Sequence, residues 1–171
     1  MTREDQTASG TMAHGGGPGN AGADRGADRG ADPEAVHAWA RLVRVSGALV
    51  SAVEADLKAA GMPPLGWYDV LLELERAGDA GLRPVELQAR LLVAQYNLSR
   101  LIDRMEAAGL VARAADPDDR RGQRLRITAE GLRRREAAWP VYRAAIGRHV
   151  AARLGPGEAR TLAGLLGKLA G

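Results

Sequence analysis

Residues 97 to 127 read NLSRLIDRMEAAGLVARAADPDDRRGQRLRI, and this stretch restricts the fold more than any other part of the chain. Leu98, Leu101, Ile102 and Met105 recur at helical spacing, which predicts a helix from about Gln95 to Ala108 with one apolar face. Gly109 stops it. Leu110 to Ala115 then reads as a strand and Arg124 to Thr128 as the returning strand, with Leu125 and Ile127 on one face. Between them, Asp116-Pro117-Asp118-Asp119-Arg120-Arg121-Gly122 has the chemistry of a tight, exposed turn, with Pro and Gly setting the backbone. An amphipathic helix followed by a basic hairpin is the order of a winged helix-turn-helix. In that arrangement a helix can enter the major groove of DNA while the hairpin tip reaches the minor groove beside it.

The flanking segments supply the rest of a mainly helical chain with one small β-hairpin. Asp32-Pro33-Glu34 is a helix start, with Asp as cap, Pro in the first turn and an acid near the positive end of the dipole. The helix is expected to run to about Ala60, where Gly61, Pro63 and Pro64 end it. Val36, Trp39, Val43, Val50, Val53 and Leu57 share one face. A small winged lobe needs no helix of this length for its own core, so part of that face is expected to meet another subunit. A second helix is predicted over Leu65 to Ala77, with Leu71, Leu72 and Leu74 facing inward. Pro84 opens a short third helix carrying Val85, Leu87 and Leu91, and Leu92-Val93-Ala94 is the turn before the helix described above. Thr128-Ala129-Glu130-Gly131 begins a fifth helix reaching about Leu154, in which Pro140 removes one backbone hydrogen bond and is expected to bend the axis. Gly155-Pro156-Gly157 separates it from a last helix with Leu162, Leu165, Leu166 and Leu169.

Composition sorts the 171 residues into an arm and a domain. Residues 1 to 31 hold almost no large apolar side chains, cannot bury enough surface to offset chain ordering, and are expected to be disordered. Gly22-Ala23-Asp24-Arg25 recurs at Gly26 to Arg29 and begins again at Gly30, which is low complexity and not a structural repeat. The net charge of +3 is compatible with nucleic-acid binding, but its distribution says more. Arg113, Arg120, Arg121, Arg124, Arg126, Arg133, Arg134 and Arg135 cluster around the hairpin and the helix after it. Arginine suits bidentate contacts to phosphate and guanine, although a GC-rich genome produces the same preference over lysine. The absence of cysteine excludes disulfides and thiolate metal sites within the chain. No apolar run approaches the ~20 residues that span a bilayer, and the Gly-rich start lacks a signal-peptide core. A soluble cytoplasmic protein is expected.

On the helix predicted from Gln95, the residues off the buried stripe are Gln95, Tyr96, Asn97, Ser99, Arg100 and Arg104. Gln and Asn can pair with adenine edges, Arg with guanine, and Tyr and Ser with phosphate. A solvated helix face alone would carry similar residues; the short helix before it and the hairpin after it favour DNA reading. Asp103 lies on the same side and would repel phosphate unless an arginine such as Arg100 or Arg104 pairs with it. At the hairpin tip, Arg120 and Arg121 suit the enhanced negative potential of a narrow minor groove.

Leu98 to Glu106, Gly109-Leu110-Val111, Asp116 to Arg121 and Ile127 to Gly131, in unbroken spacing, resemble the multiple-antibiotic-resistance regulator (MarR) family of bacterial winged-helix repressors. The resemblance extends over about residues 33 to 170 and omits the arm. It implies a domain over 32–171, with a winged lobe at 65–131 and dimerisation helices at 32–62 and 129–171, and a homodimer whose terminal helices interleave around a pseudo-palindromic DNA operator. It also implies that Asp119 holds the wing through an ion pair and that Arg121 is the minor-groove contact. Positions usually filled by Ser or Thr before the third and fourth helices are Arg83 and Ala94 here, so those starts are expected to lack a side-chain cap and one phosphate contact. Gln95-Tyr96-Asn97 replaces a hydroxyl-rich start, so no operator sequence carries over.

Members of the family commonly release DNA when a small aromatic or phenolic effector binds between dimer helices and lobe. His37, Trp39, Trp67, Tyr68, Trp139 and Tyr142 are the candidates for lining such a cleft, with core and interface packing as the plainer role for each. His14, His37 and His149 show no metal-ligand spacing, so neither a metal nor another cofactor is expected. Gly15-Gly16-Gly17-Pro18 lacks the Lys-Ser/Thr ending of a phosphate loop, and no nucleophile elbow or carboxylate pair points to an enzyme. The resulting expectation is a ligand-released repressor. The alternative is a winged-helix interaction module with no operator of its own.

Overall fold

The computed structural model describes residues 32–92, 97–117, 119 and 122–170. The chain divides into two units between Trp39 and Ala40. The described part of the first is residues 32–39, the opening turns of helix α1 (Pro33–Ala59). Asp32 caps it as expected, its carboxylate accepting the Glu34 N–H at 3.3 Å. His37 is exposed, as are Val36 and Trp39.

In the second unit the remainder of α1 is followed by α2 (Leu65–Ala77), a 3-10 turn (Gly78–Ala80), α3 (Pro84–Arg90) and α4 (Leu98–Ala107). Strands β1 (Val111–Ala115) and β2 (Gln123–Ile127) pair antiparallel, with Arg113 opposite Leu125. α5 (Ala129–His149), a 3-10 turn (Ala151–Arg153) and α6 (Glu158–Ala170) complete it. Leu82 adds a bridge to Leu125, exchanging backbone hydrogen bonds of 3.0 and 2.8 Å. The hairpin base is therefore three segments wide, a feature that a single apolar residue beside Gly81 does not announce.

α2 belongs to two apolar clusters, and this is what organises the unit. Val70, Leu71 and Leu74 join Leu82, Leu87, Leu98, Leu101, Ile102, Met105, Leu110, Val111 and Leu125 in the core of the winged lobe. Leu65 and Tyr68 join Val53, Leu57, Ala138 and Ala145 in a second core between α1, α2 and α5. Each large aliphatic side chain fully buried in this way contributes about 1.5–3 kcal/mol, so both faces of one helix resist displacement. Arg135 of α5 reinforces the second contact with a 2.6 Å ion pair to Glu75.

α5 is shorter than the sequence suggests. Its last turn ends at His149, and Val150 (φ −117°, ψ −64°) is its C-cap. Arg148 and His149 both lie 2.7 Å from the Asp56 carboxylate of α1. These contacts fix the end of the helix where no Gly or Pro marks it, while the axis passes through Pro140. At the other end, Thr128 accepts the Gly131 N–H at 3.0 Å and donates to the Gly109 carbonyl at 2.7 Å. A Cβ on Gly131 would stand 2.2 Å from the Leu110 carbonyl oxygen, so only glycine lets α5 start this close to the hairpin.

Candidate nucleic-acid interface

α4 forms for the reason the sequence gives: Leu98, Leu101, Ile102 and Met105 are all buried on its inner face. Its outer face carries Asn97, Ser99, Arg100, Asp103 and Arg104, all exposed. Asn97, Arg100, Asp103 and Arg104 line a groove of about 510 Å³. Gln95 and Tyr96 lie outside the described residues, as does Ala94.

The acid on this face is held neither by Arg100 nor by Arg104. Asp103 pairs with Arg113 of β1 at 2.5 Å, and the same guanidinium binds Glu106. Neither Arg100 nor Arg104 has a carboxylate partner among the described residues. The physical reason is reach: Arg113 comes from the adjacent strand and spans both acids one helical turn apart, whereas Arg104 is their neighbour on the helix and points elsewhere. The hydrogen bond to Asp103 is the main cause that raises the Arg113 pKa above its ordinary value. The outer face of α4 thus presents two unpaired arginines and two neutral polar groups, with its acids already compensated.

The hairpin is anchored by a residue that the sequence reading passed over. Asp116 is buried, its carboxylate 2.5 Å from Arg83 Nε and 3.1 Å from Arg124 Nε. Arg83 precedes α3 and, as expected, supplies no side-chain cap to it. The Glu86 carboxylate accepts the Arg83 N–H at 2.8 Å, the half of a capping box that needs no hydroxyl. Gly122 closes the turn, its N–H donating to the Asp119 carbonyl at 2.8 Å and its carbonyl accepting from Asp116 N–H at 3.1 Å. Asp119 is exposed. Arg120 and Arg121 lie outside the described residues.

Buried Asp69 of α2 performs the corresponding task for the helix-turn-helix. Its carboxylate accepts the Leu92 N–H at 2.6 Å and so fixes the chain where it leaves α3.

Of the six candidate effector residues, the fold brings Tyr68, Trp139 and Tyr142 together. Tyr68 meets Tyr142 edge-on with ring centroids 4.9 Å apart, and Trp139 lies 6.4 and 6.1 Å from the two tyrosines. Burial raises both phenol pKa values above 10.0, so the hydroxyls remain neutral hydrogen-bond donors near pH 7. Trp67 instead packs against the winged-lobe core, one residue along α2 and on its other side. His37 and Trp39 belong to the first unit.

Comparison with known proteins converges on one family. The profile of the MarR family matches residues 60–122. AbsC, a MarR family transcriptional regulator from Streptomyces coelicolor, superposes with a TM-score of 0.71 at 28% identity, covering 83% of this chain and 95% of AbsC. Over the winged lobe in sequence, and over most of the chain in fold, the protein is similar to the MarR family. Sco3205 of the same family and organism, solved in complex with DNA, gives a TM-score of 0.73 at 25% identity over 83% of this chain and 89% of its own. In sequence, the HTH-type transcriptional regulator PrsX of Escherichia coli is 34% identical over 65 residues, 38% of this chain. That match spans 39% of the length of PrsX. As in its relatives, the fold is a mainly helical winged helix-turn-helix with a two-stranded hairpin.

Proposed function

We propose that this chain is a sequence-specific DNA-binding transcription regulator of the MarR family acting as a homodimer, and that it represses until a small aromatic or phenolic effector releases it. The observation that carries the DNA reading is the outer face of α4. Arg113 compensates Asp103 and Glu106 there, leaving Asn97, Ser99, Arg100 and Arg104 for duplex DNA. Asn97 and the two arginines have the donor and acceptor geometry to read base edges, and Ser99 suits a phosphate. Gln95 and Tyr96 are assigned to the same surface from their places in the sequence. Arg120 and Arg121 of the wing are assigned to the adjoining minor groove on the same basis, and Asp119 to holding the wing through an ion pair.

Effector release draws support from the Tyr68, Trp139 and Tyr142 cluster. It joins α2, which carries the lobe, to α5, and a flat apolar ligand with one hydroxyl would find both stacking faces and hydrogen-bond donors there. Such a ligand weakens DNA binding only if it favours a lobe position unsuited to the operator, and DNA must then weaken ligand binding by the same factor.

The deciding experiment is affinity for duplexes enriched from a random-sequence pool, measured against salt. DNA recognition predicts a log-log slope of about −0.9 for each phosphate neutralised and a palindromic consensus. Arg121→Ala is expected to lower that affinity without altering helix content or dimerisation. Binding that is flat in salt and blind to sequence would remove the DNA assignment in favour of a protein-interaction module.

A further inference from the structure

We propose that Arg83 is the wing-positioning residue of this chain: through the buried Asp116 carboxylate it ties the base of the β1–β2 hairpin to the start of α3. The proposal rests on the DNA reading above for its functional consequence and on the geometry alone for the tie itself. Residue 83 stands where a short hydroxyl would cap α3 in the family pattern. A guanidinium has no acceptor for the free N–H groups at the start of α3, so the Arg83 side chain has no capping task and reaches the hairpin instead. Its guanidinium lies 2.5 Å from a carboxylate whose side chain is fully withdrawn from solvent. Arg124, on the returning strand, approaches the other oxygen of the same carboxylate at 3.1 Å. Asp116 therefore receives one cation from the helix-turn-helix and one from the hairpin.

Three neighbouring contacts make this a positioning device and not an isolated pair. Leu82, adjacent to Arg83, exchanges two backbone hydrogen bonds with Leu125, adjacent to Arg124, so backbone and side chains join the same two segments. Arg124 also donates to the Ala80 carbonyl at 3.4 Å. On the turn side, Gly122 packs so tightly that a Cβ there would lie 3.0 Å from Asp116 Cβ. A carboxylate this buried cannot turn toward water when a partner is lost, so removing Arg83 takes away the cation that reaches Asp116 from the start of α3. The hairpin base must then shift or admit water. Pairing across Asp116 thus sets where the hairpin lies before DNA is met, which lowers the ordering cost of a minor-groove contact.

Arg83→Met removes the charge and keeps the aliphatic stem, while Arg83→Lys restores a charge. On duplexes enriched by the wild-type chain, Arg83→Met is expected to lose hydroxyl-radical protection of the flanking minor groove. Its affinity is expected to be roughly tenfold weaker, about 1.4 kcal/mol, with protection of guanine N7 at the half-site centres retained. Arg83→Lys is expected to regain most of the flank protection. Backbone amide exchange over residues 111–127 without DNA supplies an independent readout, faster in Arg83→Met than in wild type. Unchanged flank protection in a folded Arg83→Met overturns the proposal. If the wild-type chain enriches no sequence, the DNA reading falls, and unchanged exchange then overturns the tie by itself. Should Arg83→Met not fold, Arg83→Gln, which keeps a donor without the charge, is judged by the same outcomes.

Discussion

Arg113 shows how one side chain decides whether a helix face suits DNA. With it, the acids of α4 are held by the hairpin; without it, Asp103 and Glu106 are two uncompensated carboxylates beside any phosphate approaching Arg100 and Arg104. Arg113→Met is therefore expected to weaken duplex binding about tenfold. Adding Asp103→Asn and Glu106→Gln to that variant should recover most of the loss, as titration at fixed salt would measure. A triple variant no better than Arg113→Met alone would mean that Arg113 acts only by holding β1 in place. Neither this pairing nor that of Arg83 with Asp116 was legible in the sequence. Both join residues on different elements, and no local period links position 83 to 116 or 103 to 113. The sequence could show that arginines were abundant around the hairpin, but not which carboxylates each would meet.

Elements were more legible, because their boundaries rest on local chemistry. The spacing of Leu98, Leu101, Ile102 and Met105 located α4, and Gly61 with two prolines closed α1. The end of α5 was not legible, because tertiary pairing sets it: Arg148 and His149 close on Asp56 and the helix stops at His149. That pairing has a testable pH dependence. Hydrogen bonds from Arg148 first, and then His149, lower the Asp56 pKa from 3.8. A carboxylate with a depressed folded-state pKa contributes stability that is present above the unfolded value and is lost as pH falls through the folded one. The thermal midpoint of Asp56→Asn should thus lie below that of the wild type near neutral pH. The gap should close on acidification below 3.8. A gap that stays constant down to about pH 2 would show that Asp56 stabilises through something other than its charge.

At the scale of the whole molecule, the apolar faces that find no cover among the described residues are the reason to expect a dimer. In α6, Leu162, Leu165, Leu166 and Leu169 are 41, 54, 39 and 74% exposed. In the second unit, Val43 and Val50 of α1 are exposed on the periodic face that becomes buried at Val53 and Leu57. Leucines repeated at helical spacing on a terminal helix are unfavourable in water, at about 25 cal/mol for each Å² of apolar surface left exposed. A second copy offers the same leucines in return, which satisfies the self-complementarity of a two-fold interface. Leu165→Glu combined with Leu166→Glu places two like charges on each side of such an interface. Sedimentation should then show a monomer where the wild type is a dimer. The lobe core, which contains neither leucine, should keep its helix content. Because two half-sites are bound together only by linked lobes, operator affinity should fall by at least about a hundredfold while single half-site affinity changes little. A doubly substituted chain that remains dimeric would place the interface elsewhere on the molecule.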